Sequence, residues 1–319
     1  MKTKHIFAAA SALAVVAALS GCSGATGGTA DGTTTVCYVT AADSHAYVTP
    51  ANKAFQAEAD AKGIEVLKLS QEFDAQKGTD QLNTCIGRGV QGIVLWPLDP
   101  QAYIPGLVKA QEAGIPVVLI NSPMDDEALK LVASFTGPDT YEEGELSADA
   151  INEALNGEGN VVIVAGQAGN GTTIGRTDGF NDGLKALGSK IKVLETVNAD
   201  FDQQKALIAS RDLITRFGDD IDAVYANDDT MARGFIDAWI EAGKTEFPVI
   251  VGINGQADAF QSIKDGQMFA TILQSPIEDG KLAMQTIADI IAGKKVDARL
   301  PIPLTVVNSS NVDSLKPAL

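Results

Sequence analysis

One arrangement, a short apolar run passing directly into a helix start, recurs along this chain and restricts it to few folds. The clearest copy is Ile221-Asp-Ala-Val-Tyr-Ala-Asn-Asp-Asp-Thr-Met-Ala232. Its first half, with Val224 and Tyr225, reads as a strand buried on both faces. In its second half Asn227 and Asp228 can cap the orphan amides of a helix, and the carboxylates of Asp228 and Asp229 suit its positive end. Such a junction lies at the carboxyl edge of a parallel sheet, where open α/β folds bind small ligands. Read alone, Asn227 and Asp228 are only a cap. Val117-Val-Leu-Ile-Asn121-Ser122 and Val249-Ile-Val-Gly-Ile-Asn254-Gly-Gln256 repeat the pattern. Three strands each delivering an Asn to one edge point to a polar pocket whose carboxamides donate and accept hydrogen bonds.

The rest of the chain alternates in the same way. Strands are expected at residues 36–40, 64–69, 92–96, 115–120 and 131–135, and helices at 48–62, 75–88 and 100–113, the last ended by Gly114. After Thr136-Gly-Pro138 the alternation restarts, with strands at 160–165, 192–197, 221–226, 249–253 and 268–273. Helices are expected at 139–155, from Arg176 to 187, at 202–217, up to Asp265 and at 277–292, before an extended run at 303–307. Gln274-Ser-Pro276 and Pro301-Ile-Pro303 read as further crossings between two units. At 319 residues the chain is long for one core. The expected fold class is α/β: two doubly wound parallel-sheet lobes joined by a three-strand hinge. The lobes are expected at 35–136 plus 275–303 and at 137–274 plus 304–319.

The formal net charge of −17 argues against a nucleic-acid partner, which needs a basic face. At the N-terminus, Lys2 and Lys4 precede an apolar stretch at 6–19, and then comes Leu19-Ser-Gly-Cys22. A signal peptide over 1–21 fits better than a membrane span, because the apolar run is short and no basic stop follows. The tetrapeptide resembles the lipobox of bacterial lipoproteins, which implies cleavage before Cys22 and diacylation of its sulfur. Two or more acyl chains, at ~0.8 kcal/mol per buried CH₂, anchor stably where one is marginal. An ordinary secreted protein with a coincidental cysteine is the alternative. Residues 22–34, mostly Ser, Gly, Thr and Ala, read as a lipidated flexible tether. Cys37 and Cys85 remain; outside the cytoplasm they form either a disulfide or two separately buried thiols.

With these residues placed, the chain resembles the periplasmic sugar-binding proteins of the ribose-binding type, the type I solute-binding fold of ABC importers. Six motifs carry the resemblance in family order: Gln91-Gly-Ile-Val-Leu-Trp-Pro-Leu-Asp99, Ala113-Gly-Ile-Pro-Val-Val118, Arg176-Thr-Asp-Gly-Phe180, Asn227-Asp228 with Met231-Ala232, Val251-Gly252, and Ala270-Thr-Ile-Leu-Gln274. The resemblance implies ligand contacts from Ser44 and Tyr47 after the first strand, and from Asn121 and Ser122 where ribose binders have Asp and Arg. It implies others from Arg176, from Phe201 as a stacking ring, and from Asn227, Asn254 and Gln274. Trp96 either lines the mouth of the pocket or packs between domains. Asn121 and Asn254 stand where the family has carboxylates, and Ala46 where it has a second aromatic. Hydrogen bonds to ionised groups contribute ~1.5–3 kcal/mol against roughly 1 for neutral pairs. The expected ligand is therefore a small polyhydroxyl compound, a pentose or an open-chain C4–C6 alditol.

The implied function is ligand capture by clamshell closure and delivery to an ABC permease, with no cofactor, no metal and no catalytic residue, by a monomer anchored outside the cytoplasmic membrane. A ligand-presenting receptor for signalling would have the same core. An exported hydrolase would need an activated nucleophile or paired carboxylates, yet His45 is the one histidine beyond the leader and no Gly-x-Ser-x-Gly is present. Gly166-Gln-Ala-Gly169-Asn-Gly171 misses the dinucleotide spacing.

Overall fold

The computed structural model describes residues 33–319; the expected leader, Cys22 and nearly all of the expected tether lie outside the described residues. In chain order the elements are β1 (Thr35–Thr40), α1 (Val48–Lys62), β2 (Glu65–Ser70), α2 (Ala75–Gly87), β3 (Gly92–Leu95), α3 (Ile104–Glu112), β4 (Val117–Ile120), α4 (Asp126–Leu129) and β5 (Ser134–Gly137). There follow α5 (Thr140–Ala154), β6 (Glu158–Ala165), α6 (Gly171–Ala186), β7 (Lys190–Asn198), α7 (Gln203–Phe217), β8 (Ala223–Ala226), α8 (Asp229–Glu241), β9 (Val249–Asn254), α9 (Ala257–Lys264) and β10 (Ala270–Leu273). The chain ends with α10 (Pro276–Ile291), β11 (Arg299–Pro301) and β12 (Thr305–Asn308).

Two six-stranded sheets result, in the orders β11-β5-β4-β3-β1-β2 and β12-β10-β9-β8-β6-β7. All pairings are parallel except that of β12 with β10. Both faces of each sheet are buried, so neighbouring residues of one strand enter different cores. Val36 and Tyr38 pack on one side of the first sheet, Cys37 and Val39 on the other. Val224 and Ala226 likewise part from Ala223 and Tyr225 in the second. This explains the unbroken apolar runs of the central strands. Cys37 and Cys85 are disulfide-bonded, joining β1 to α2.

The chain passes between the lobes three times: after β5, between β10 and α10, and between β11 and β12. In each sheet the first strand has its two successors on opposite sides, β2 and β3 about β1, and β7 and β8 about β6. Those switch points set the carboxyl edges where a ligand is received.

Several boundaries differ from expectation. The strand expected at 131–135 is β5, shifted to Ser134–Gly137 behind the short α4; its register is set by pairing Val118 with Ser134, not by the apolar Leu131 and Val132. Helix α3 starts late, at Ile104, because Asp99 Oδ1 accepts from the backbone N–H of Gln101 and Ala102 and holds a turn there. The stretch before Pro301-Ile-Pro303, expected only as a crossing, contributes β11.

Candidate functional site

The carboxyl edges of the two sheets face each other across a crevice. The first lobe contributes His45, Tyr47 and Val48 after β1, Phe73 after β2, Trp96 and Leu98 after β3, and Asn121 and Ser122 after β4. The second contributes Asn170, Thr172 and Arg176 at the start of α6, Phe201 after β7, Asp228 after β8 and Asn254 at the end of β9; Gln274 comes from the crossing after β10. Eight sequence-derived positions thus share one cavity: Tyr47, Trp96, Asn121, Ser122, Arg176, Phe201, Asn254 and Gln274.

Ser44 and Asn227 are not among the lining residues. Ser44 is exposed on the outer side of its loop, beside Pro50 and Ile277. Asn227 is fully buried beneath the floor, where its Oδ1 accepts from the Gly166 N–H at 3.1 Å and its carbonyl from Arg176 Nη1 at 2.7 Å. It is the next residue, Asp228, that reaches the crevice. Sequence reading also missed His45, Phe73, Asn170 and Thr172 as lining groups. Asn170 left a signal: its Oδ1 caps α6 by accepting from the Thr172 and Thr173 N–H groups, and a cap at this edge faces the crevice. Ala46 is exposed, but Phe73 and Trp96 supply rings, so the crevice is richer in aromatic surface than its sequence implied. Trp96 both lines the cavity and meets Tyr47 edge-on at 6.2 Å.

Behind the lining runs a chain of buried polar contacts across the hinge. Asn121 Nδ2 donates to Asp279 Oδ2 at 2.9 Å. The Tyr47 hydroxyl lies 3.1 Å from Gln274 Oε1 and 3.3 Å from Asp279 Oδ2, and Gln274 Nε2 donates to Asn254 Oδ1 at 2.8 Å. Burial pushes the Asp279 carboxyl up to about 7, against the hydrogen bonds from Asn121 and Tyr47. A carboxyl group that burial keeps protonated up to about 7 thus stands directly behind the neutral Asn121. Asn121, at φ 65°, is in the left-handed region that Asn tolerates better than most residues, and Asn254, at φ 118°, lies beyond it in backbone space that favours glycine.

In the second lobe Arg176 Nε donates to Glu143 Oε2 at 2.7 Å within a buried ion pair. Burial works against the guanidinium charge, and the Glu143 carboxylate beside it more than offsets that. Phe201, at φ 57°, lies so close to Gly166 that a Cβ there would meet its ring at 2.1 Å. Gly166 is thus what lets the ring lie over the crevice. The lobes touch above it: Ser122 Oγ is 2.8 Å from Thr172 Oγ1, and Gln167 Nε2 donates to the Phe73 carbonyl at 3.4 Å. Among the described residues, no group of three or more His, Cys, Asp or Glu is placed to hold a metal, and no helix is long and apolar enough to cross a membrane.

A family profile described as "Periplasmic binding protein domain" matches residues 36–295. The ribose import binding protein RbsB of Bacillus subtilis is 32% identical over 253 residues, 79% of this chain and 80% of that protein. This chain is a periplasmic sugar-binding protein of the ribose-binding type. A second member of the family, the xylitol-binding protein of Mycolicibacterium smegmatis, is 29% identical over 98% of this chain and 87% of its own length. The ABC transporter solute-binding protein from Mycobacterium smegmatis, solved with bound glycerol, superposes with a TM-score of 0.81 at 30% identity, covering 89% of this chain and 97% of the other. The type I fold of this family has two α/β lobes about a hinge, as here. Membership also places the chain among exported binding proteins that serve ABC importers.

Proposed function

We propose that this protein captures a small polyhydroxyl compound, a pentose or a C4–C6 alditol, between its lobes and hands it to an ABC permease. The observation that carries this is the crevice itself. Carboxamides from three strand ends, a guanidinium and several hydroxyls converge on it from both lobes, and rings stand beside them. Such a lining matches a ligand dense in hydroxyls with small apolar faces. Because the groups come from both lobes, contacts are complete only when the lobes meet, so ligand shifts the equilibrium toward closure. The ligands named for the xylitol-binding and glycerol-bound relatives support the open-chain preference.

The lining residues proposed to contact ligand are Tyr47, Trp96, Asn121, Ser122, Arg176, Phe201, Asn254 and Gln274, with Asn227 holding Arg176 from below. The lobes are proposed to be 35–136 plus 275–303 and 137–274 plus 304–319, in line with the three crossings. The lipobox-like Leu19-Ser-Gly-Cys22 supports export, cleavage before Cys22 and a lipid anchor on the outer face of the cytoplasmic membrane. The anchored protein is proposed to act as a monomer.

Calorimetry across pentoses, hexoses and C4–C6 alditols tests the ligand class. Micromolar or tighter binding of an alditol or pentose is the expected result, and binding of hexopyranoses alone would overturn it. On the same preparation, the mass of the N-terminal peptide tests the anchor: an unmodified Cys22 in the membrane fraction rules it out.

A further inference from the structure

His45 and Asp228 lie on opposite lobes and both line the crevice; Asp228 belongs to the Asn227-Asp228 motif of the family, whereas His45 belongs to none of the six motifs. Each has one buried polar atom with no well-formed hydrogen bond in the protein. For His45, the Tyr47 backbone N–H donates to Nδ1 at 3.3 Å. Nδ1 is therefore the acceptor nitrogen, and the neutral ring carries its proton on Nε2. That Nε2 is buried and has no hydrogen-bond partner. Burial holds the imidazole below its ordinary pKa, which keeps it neutral at neutral pH, with Asp228 opposing.

Asp228 is the complement. Its Oδ1 accepts from the Met231 N–H at 2.8 Å and caps α8. Its Oδ2 is buried and has no hydrogen-bond partner, and the residue as a whole is 1% exposed. The Thr230 hydroxyl reaches the Asp228 carboxyl and the Phe201 carbonyl reaches the imidazole as weak polar contacts, and Arg176 acts on both charges; none of them makes a hydrogen bond of good length and angle to Oδ2 or Nε2. Both line the same crevice, and each acts on the other's charge across it. His45 is also steadied by the closed lobes. Its ring meets Phe73 edge-on at 5.4 Å, and Gln167 of the second lobe bonds to the Phe73 carbonyl.

We infer that His45 and Asp228 form a donor–acceptor clamp that grips one free hydroxyl of the ligand, accepting its proton at Asp228 Oδ2 and donating to its oxygen from His45 Nε2. Among the groups of a sugar or polyol, only a hydroxyl answers both. An ether or ring oxygen accepts but cannot donate to the carboxylate, an ammonium cannot accept from the imidazole, and a carboxylate is repelled by Asp228. The clamp moves the carboxyl acceptor, which Asn121 and Asn254 no longer supply, to a position between the lobes. It requires an unblocked hydroxyl at one defined place and disfavours a ring oxygen there.

This inference rests on the polyol reading above, and the experiment separates the two. Calorimetry is run on wild type, Asp228→Asn, His45→Phe and the double variant with D-ribose, xylitol, ribitol, erythritol and D-sorbitol. Asp228→Asn keeps an oxygen for the α8 cap, His45→Phe keeps a ring against Phe73, and thermal unfolding checks that both are folded. Each single change is expected to weaken the tightest ligand about 10- to 100-fold, and the double variant little more than one of them, since both grip the same oxygen. Among monodeoxy analogues of that ligand, the one lacking the clamped hydroxyl should bind all four proteins alike. Wild-type affinity in the single variants, fully additive losses, or equal sensitivity to every analogue would overturn the clamp and leave the polyol reading standing. If wild type binds none of the five compounds, that reading falls and the clamp with it.

Discussion

Asp279 is the residue at which position and charge are most at odds. It is fully buried in the first turn of α10, where the chain has just crossed between lobes, with donors on Oδ2 and none on Oδ1. Burial, with Glu143 adding to it, holds a proton on the carboxyl up to about 7, whereas the unfolded chain releases it near 3.8. Between those values the native state binds more protons than the unfolded state, so stability falls as pH rises and levels off above about 7. The gap amounts to up to about 4 kcal/mol. Asp279→Asn keeps an acceptor for Asn121 and Tyr47 but cannot ionise. Urea unfolding from pH 4 to 8 should show the variant gaining on wild type across that window and the difference holding constant above it. Parallel curves would mean that Asp279 is ionised throughout.

At the scale of elements, the disulfide has the clearest consequence. It ties the middle of β1 to the end of α2 across 48 residues, with both cysteines wholly buried. In the chain-entropy account a loop of that length contributes about 4 kcal/mol. Cys37→Ala with Cys85→Ala should lower the urea midpoint accordingly, and reductant should do the same to wild type; an unmoved midpoint would show the bond to be dispensable. How far the fold was legible follows element by element. β1, β4, β8 and β9 were plain in the sequence because strands buried on both faces must be apolar nearly throughout, and the helix after β8 begins with a recognisable cap, Asp228. β11 was not, because Arg299-Leu-Pro301 is a half-exposed edge whose strand character exists only through β5. Strand ends located Asn121, Asn254 and Gln274. They could not say which of the adjacent Asn227 and Asp228 faces out, since that turns on Asn227 bonding to the Gly166 amide from another strand. His45 and Phe73 were illegible for a related reason: both sit in loops placed by contacts distant in sequence.

For the whole molecule, what matters is how close the lobes come. One close place is Gly171, at the start of α6, where a Cβ would stand 2.4 Å from the carbonyl oxygen of Pro123 in the other lobe. No atom of its own lobe is among the near neighbours of that Cβ; the next is Pro100, also in the first lobe. Gly171 does not have a positive φ, so alanine there costs the helix nothing. Gly171→Ala should therefore leave each lobe intact and act as a wedge against closure alone. An overlap of this kind costs on the order of 1–3 kcal/mol. Charged to the closed state, it lowers ligand affinity about 5- to 150-fold with the thermal stability of the ligand-free protein unchanged. Small-angle scattering should show wild type contracting on adding a bound pentose or alditol, and the variant contracting only at correspondingly higher concentrations. Unchanged affinity and an unchanged scattering titration in the variant would show that the ligand is held without the two lobes coming together at Gly171.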